Sequence, residues 1–233
     1  TSEAVEIFLM GETTKEIGID VSNHNGNSID WLSVKNSDVS FAFAKATEGI
    51  TFADHCFEKN WKQMKAAGLL RGAYHFFRPL RDAKEQAQNF LKVVGELEAK
   101  DLPPVLDLEH YPEYVEEEWK QISLKERIER VQQWLDIVEG TTGRKSLIYT
   151  SYGFWKYYMD NTQAFTKYPL WVANYTTKAQ PLVPANNWGG NGWLFWQYTE
   201  TGSVAGIKGY VDRNRFSGSF EKLIAFVDNS LVA

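Results

Sequence analysis

Pro103-Pro104-Val105-Leu106-Asp107-Leu108-Glu109-His110 is a short apolar run that ends in acids. In an extended strand successive side chains alternate between faces, so Val105, Asp107 and Glu109 share one face while Leu106 and Leu108 share the other. Two carboxyls then stand together at the end of a segment otherwise suited to burial. In a barrel of parallel strands that end is where inward side chains meet.

Working outward, the same rhythm of a β-branched or aromatic run followed by an amphipathic stretch recurs on both sides. Strands are predicted over 16–22, 39–46, 71–77, 104–109, 146–150, 170–175, 193–198 and 209–214, which makes eight. Helices are predicted over 29–35, 57–67, 82–98, 120–139 and 151–160, with Asp82 and Ser123 as N-caps and Gly68 and Gly140 as stops. The pattern then changes. Pro181, Pro184, Gly189, Gly190 and Gly192 fill the link to the seventh strand, and Gly202 and Gly206 the link to the eighth, so neither favours a helix.

The expectation is an α/β fold, a modified TIM-like (β/α)-barrel of eight strands from which the helices between the last strands are missing, closed by a helix over 219–228. A doubly wound sheet is the alternative, but no strand leads into a GxGxxG or P-loop. Residues 1–17 read as an N-terminal extension and 18–233 as a single catalytic barrel domain.

The parity argument extends to other strands. On the first, Gly18, Asp20 and Ser22 face inward; on the eighth, Tyr210, Asp212 and Asn214 share a face opposite Val211. Asp20, Asp107, Glu109 and Asp212 would therefore meet. Buried like charges retain a proton, and an acid of raised pKa beside an ionised one is the equipment of glycoside hydrolysis. The competing reading makes these residues solvated strand-end acids, or ion-pair partners of Lys45, Arg78 or Arg213.

Composition narrows the classes further. The 233 residues carry 25 Lys+Arg against 30 Asp+Glu, a formal net charge of −5, with no basic cluster longer than a pair. Nucleic acid is excluded as a partner on that ground, because counterion release needs a basic stripe. No apolar run reaches the roughly 20 residues of a membrane span, and the start lacks the basic n-region of a signal peptide. A single cysteine, Cys56, excludes an internal disulfide and a Cys-based zinc site. His24, His55, His75 and His110 are scattered, so neither a metal nor any other cofactor is expected. Nine Trp, 11 Tyr and 14 Phe make 15% of the chain aromatic, a surplus part of which is expected to line a cleft.

Six stretches in order carry a resemblance: Gly18-Ile19-Asp20-Val21-Ser22-Asn23-His24-Asn25-Gly26, Phe43-Ala44-Lys45-Ala46-Thr47-Glu48-Gly49, Gly72-Ala73-Tyr74-His75-Phe76, Asp107-Leu108-Glu109, Trp171-Val172-Ala173-Asn174-Tyr175 and Trp196-Gln197-Tyr198. Together they resemble glycoside hydrolase family 25, the N-acetylmuramidases of phage endolysins, bacterial autolysins and some fungi. The resemblance implies cleavage of the β-1,4 bond between N-acetylmuramic acid and N-acetylglucosamine in peptidoglycan. It implies Glu109 as general acid and Asp107 as its orienting partner, with Asp20 and Asp212 as supporting acids. Tyr74, Tyr149, Trp171, Tyr175 and Gln197 would form the substrate groove. The enzyme would act as a monomer on the cell wall, whether secreted, periplasmic or phage-delivered.

The stereochemistry stays open at this point. Residues two apart on a strand have Cα atoms roughly 6.6 Å apart, and side-chain splay reaches either the retaining or the inverting separation. A third route has the acetamido oxygen of the substrate attack C1 while Asp107 orients it. A chitinase or endo-N-acetylglucosaminidase of the family 18 type also uses Asp-x-Glu, but Val105 and Pro103 stand where that motif has further Asp residues. A catalytically inactive glycan-binding module would not need Asp107 and Glu109 intact. A metal-dependent deacetylase would need a His-x-x-x-His pair, which is absent.

Overall fold

A computed structural model describes residues 15–231. The expected extension over 1–17 lies almost wholly outside the described residues. Nine strands form one sheet: β1 (Ile17–Val21), β2 (Val39–Glu48), β3 (Phe52–Ala53), β4 (Leu70–Phe76), β5 (Val105–Asp107), β6 (Leu147–Ser151), β7 (Leu170–Ala173), β8 (Phe195–Gly202) and β9 (Val211–Phe216). Their order is β1-β9-β8-β7-β6-β5-β4-β2-β3, and β1 also pairs with β2, which closes a barrel. The two-residue β3 only folds back on β2 as a hairpin. Eight strands therefore make the barrel, as expected.

One feature of the topology differs from a uniform (β/α)-barrel. β9 runs antiparallel to both its neighbours, β8 and β1, while the other barrel strands pair parallel. A parallel connection needs a crossover of a dozen or more residues, usually a helix, whereas an antiparallel one can turn back directly. The loop from β8 to β9 therefore carries no helix. Between β7 and β8 the expected helix-free link holds one left-handed helical turn, Pro184–Gly189, with φ of 53 to 54° from Ala185 to Trp188.

Period-2 alternation sorts the strands into two cores. Inward residues Phe41, Phe43, Val105, Leu147, Trp171, Phe195 and Phe216 fill the barrel, and Leu223 and Val227 of helix Phe220–Asn229 plug its lower end. Outward residues such as Ile19, Ala44, Leu106, Ile148 and Val172 meet the helices through Trp61, Phe90 and Trp134. The interior rings interlock, with Phe43 stacked on Trp171 at 4.4 Å and Phe195 edge-on to Phe41 at 5.1 Å. Glycine makes this packing possible: a Cβ on Gly18 would overlap the Phe41 ring, and one on Gly72 the Phe43 ring.

Several boundaries shift for local reasons. Asp82 and Ser123 do cap helices, and Ser123 forms a capping box with Glu126. The segment expected as one helix over 120–139 is instead the end of Glu113–Lys120, a break at Ser123, and a second helix, Leu124–Thr142. Gly140 does not stop that helix; Gly143 does, in the left-handed conformation that only glycine adopts freely. β5 ends at Asp107, so Glu109 lies on the loop beyond it.

Two glycines should respond oppositely to alanine. Gly140→Ala, in an exposed helix interior with nothing within 4 Å of the new methyl group, should stabilise by about 0.5–1 kcal/mol. Gly72→Ala should destabilise by about 1–3 kcal/mol through overpacking. Urea unfolding followed by circular dichroism distinguishes the two signs.

Candidate active site

Eight residues line a cavity of about 320 Å³ at the mouth of the barrel: Asp20, Tyr74, Asp107, Glu109, Tyr149, Trp171, Gln197 and Asp212. Asp20 and Asp107 come from the ends of β1 and β5, Tyr74 and Tyr149 from β4 and β6. Asp212 arrives differently. Because β9 is antiparallel, the start of that strand, rather than its end, lies at the mouth, and Asp212 pairs in register with Asp20.

None of the cations considered as partners bonds any of these acids. Lys45 pairs with Glu48, Arg78 with Glu48 and Glu118, and Arg213 donates to Tyr198 Oη and the Ser203 carbonyl. The carboxyls instead bond one another. Asp107 and Glu109 form one hydrogen-bonded pair, Asp20 and Asp212 a second. Burial is the first cause that raises all four above the ordinary carboxylate range. In Asp107 the neighbouring Glu109 charge adds to it, and in Asp212 the Asp20 charge does. Glu109 is pushed up to about 7.

A fixed set of donors holds this cluster. Gln197 Nε2 donates to Asp20 Oδ2 at 2.8 Å and Asn214 Nδ2 donates to the same oxygen at 2.9 Å. Gln197 Oε1 accepts from the hydroxyls of Tyr149 and Tyr175, both at 2.7 Å, and Trp171 Nε1 donates to Asn214 Oδ1 at 2.7 Å. Asp20 is thus the best-solvated of the acids by protein dipoles. Asp107 Oδ1, by contrast, is buried without a partner.

The groove candidates divide by position. Tyr74, Tyr149, Trp171 and Gln197 line the cavity itself, with Trp171 as a floor stacked on Phe43 and only 2% exposed. Half-exposed Tyr175 lies in an adjoining groove of about 790 Å³ that shares Glu109 and Tyr149 with the cavity and adds His110, Tyr111, Asn174 and Glu200. Most of the aromatic surplus is core: Trp119, Trp134, Trp155, Trp188 and Trp196 are buried away from the mouth. Asn214 was signalled only by its parity with Asp212; its role as a clamp on Asp20 depends on pairing between β1 and β9 that no local pattern reveals. Trp119, whose Nε1 donates to the Glu109 carbonyl at 2.9 Å, belongs to a helix the sequence pattern did not show. His75 is buried in the helix layer between Thr47 and Gln86, and burial lowers its pKa to about 4.

The family model described as Glycosyl hydrolases family 25 matches residues 19–207. The protein YegX of Escherichia coli (strain K12), described as uncharacterized, is 43% identical over 216 residues, which cover 91% of this chain and 73% of YegX. Lysozyme M1 of Streptomyces globisporus is 37% identical over 227 residues, covering 94% and 74% respectively. A bacterial lysozyme crystal structure from Streptomyces coelicolor superimposes with a TM-score of 0.86 at 37% identity, over 94% of this chain and 99% of that one.

The raised carboxyls make stability depend on pH. Each binds its proton more tightly folded than unfolded, so its contribution is complete below the unfolded pKa and is lost as pH rises through the folded one. For Glu109 the window runs from 4.5 to about 7, a width worth about 3 kcal/mol. Glu109→Gln keeps the shape and removes the charge. In urea titrations it should be more stable than wild type by about 1–3 kcal/mol at pH 8, the gap closing by pH 4.5. Equal stabilities at pH 8 would mean that burial does not penalise this carboxylate.

Proposed function

The chain belongs to glycosyl hydrolases family 25, and we propose that it is a peptidoglycan hydrolase, an N-acetylmuramidase cleaving the β-1,4 bond between N-acetylmuramic acid and N-acetylglucosamine. Glu109 is the general acid and Asp107 its orienting partner. The observation that carries this reading is the hydrogen-bonded Asp107–Glu109 pair in a desolvated cavity, with Glu109 titrating near neutrality. An acid of that pKa keeps its proton in about half of the molecules at neutrality and releases it readily to a leaving oxygen.

The closeness of the pair also favours one route. Opposed carboxyls in retaining enzymes stand about 5–5.5 Å apart, and in inverting enzymes about 6.5–9.5 Å. Carboxyls in direct hydrogen-bond contact suit neither role of nucleophile nor of base on the opposite sugar face. They suit substrate assistance. The acetamido oxygen attacks C1 as Glu109 protonates the departing glycosidic oxygen, and Asp107 accepts the acetamido N–H. Its Oδ1, buried without a hydrogen-bond partner in the absence of substrate, would gain one in that bond. Glu109, now ionised, then takes a proton from the water that opens the cyclic intermediate. No metal or cofactor enters this chemistry.

Asp20 and Asp212 support the pair as a proton-sharing neighbour on the far wall. Tyr74, Tyr149 and Trp171 shape the sugar site, Gln197 fixes its tyrosines, and Tyr175 extends the surface along the glycan strand. Residues 18–233 are one catalytic domain, and a monomer suffices because one chain supplies every lining residue. The place of action is the cell wall, reached by secretion, through the periplasm or by phage delivery. Among the described residues no helix is long and apolar enough to cross a membrane.

Digestion of purified peptidoglycan followed by mass spectrometry of the new reducing ends tests the bond assignment. N-acetylmuramic acid ends are expected; N-acetylglucosamine ends would mean family-18-type cleavage, and no new ends a binding module. Glu109→Gln and Asp107→Asn should each lower turnover by about 10²–10⁴-fold. An Asp107→Asn enzyme of full activity would remove Asp107 from the mechanism.

A further inference from the structure

Lys45 and Glu48 are three residues apart on β2, a spacing that in a regular strand points side chains to opposite faces. Pairing of β2 with β4 breaks register between Lys45 and Thr47. The extra residue leaves Thr47 in the helix layer, its hydroxyl 2.7 Å from His75 Nδ1, and brings Glu48 round to the side of Lys45. The ammonium and carboxylate then pair at 2.8 Å.

The chain of charge continues behind them. Arg78 Nη1 donates to Glu48 Oε2 at 3.1 Å, and Arg78 grips Glu118 through Nε at 2.8 Å and Nη2 at 2.5 Å. These four side chains are between 12% and 21% exposed. Such a buried ionic chain is weak evidence for stability, since apolar replacements often do as well. The hydrolytic steps above do not use it either.

Its position supplies a role. Lys45 continues the inward set Phe41 and Phe43 and stands in register with the cavity residue Tyr74; its ammonium lies behind the cavity wall, over the rings of Phe52 and Phe76, within electrostatic reach of the acid pair. An unpaired ammonium there would draw the carboxyls into the ionised state, the reverse of what a general acid needs. We propose that Glu48 is a positioning residue for acid catalysis: anchored by Arg78 and Glu118, it captures the Lys45 ammonium and thereby keeps a proton on the Asp107–Glu109 pair. This rests on the reading of Glu109 as the general acid.

The other groups facing Glu109 are Asp20 from β1, Asp107 from β5, Asp212 from β9, and the hydroxyls of Tyr74, Tyr149 and Tyr175 from β4, β6 and the loop after β7; His110 and Tyr111 of the loop after β5 and Glu200 of β8 border the adjoining groove. Lys45 is the lysine whose charge reaches this set. Its field lowers the pKa of both Asp107 and Glu109, and Glu48 opposes it at Glu109.

The test is the titration midpoint of Glu109, read by carboxyl carbon NMR with Glu109→Gln as the assignment control, beside the pH profile of peptidoglycan hydrolysis. Glu48→Gln should move both midpoints down by about 1 pH unit, as expected for a newly unpaired cation nearby. Lys45→Met should move them up, and Lys45→Met/Glu48→Gln should return them to the wild-type position. General destabilisation cannot produce shifts of opposite sign. Unmoved midpoints, or shifts of the same sign in both single variants, overturn the proposal. If Glu48→Gln does not fold, Lys45→Met decides alone: an upward shift supports the coupling and none overturns it. A wild type inactive on peptidoglycan whose NMR midpoints shift as stated would sink the hydrolase reading and leave the coupling intact.

Discussion

Four carboxyl groups share one desolvated space, and among the described residues no Lys or Arg is bonded to any of them. Water would ionise them all; the barrel cannot accommodate that many like charges. The protons that remain are therefore a product of the fold, because burial is the largest cause behind each raised pKa. The interlocked rings of Phe41, Phe43, Phe195 and Trp171 exclude water from below. Gly18 and Gly72 are the positions that let those rings close. Chemistry at the mouth thus depends on packing in the shaft.

The antiparallel β9 links two features that look separate. Because it turns back from β8, the last part of the chain needs no crossover helix, which explains the stripped final quarter. Because it runs in reverse, its first residues reach the mouth, which delivers Asp212 opposite Asp20 and Asn214 beneath it. A one-residue slip of this strand would turn both side chains outward. Its register is held on one side by β1 and on the other by β8, where two register shifts accommodate the longer strand.

Much of this was legible in the sequence because alternation is a local rule. Parity alone brings Asp20, Asp107 and Asp212 to the mouth, and because parity does not depend on strand direction it holds for Asp212 although β9 runs opposite to its neighbours. What stayed hidden was non-local or broke the rule. Helix Glu113–Lys120 carries four Glu residues in an eight-residue stretch, where an apolar stripe is hard to see. Gly140 looked like a stop, but its helix continues to Gly143 because Val138 and Leu135 are still buried against the barrel. Lys45 and Glu48 read as opposite-facing until a bulge, invisible in composition, joins them. The direct contact of Asp107 with Glu109 depends on the chain leaving the strand after Asp107, which rise per residue does not predict.

Proton sharing also bears on the charge that the mouth of the barrel presents. The formal charge of −5 counts every carboxyl as ionised. Each of the two acid pairs keeps a proton near neutrality, since Asp107 and Asp212 are raised well above that range of ordinary carboxylates. The mouth is accordingly less negative than composition implies, and repulsion from the rest of the surface is screened within about 8 Å at physiological salt. A neutral glycan backbone entering the cavity meets hydroxyls and half-protonated carboxyls that can both donate and accept. On the proposed mechanism, the proton shared by the Asp107–Glu109 pair, which relieves repulsion inside the barrel, reaches the leaving oxygen through Glu109.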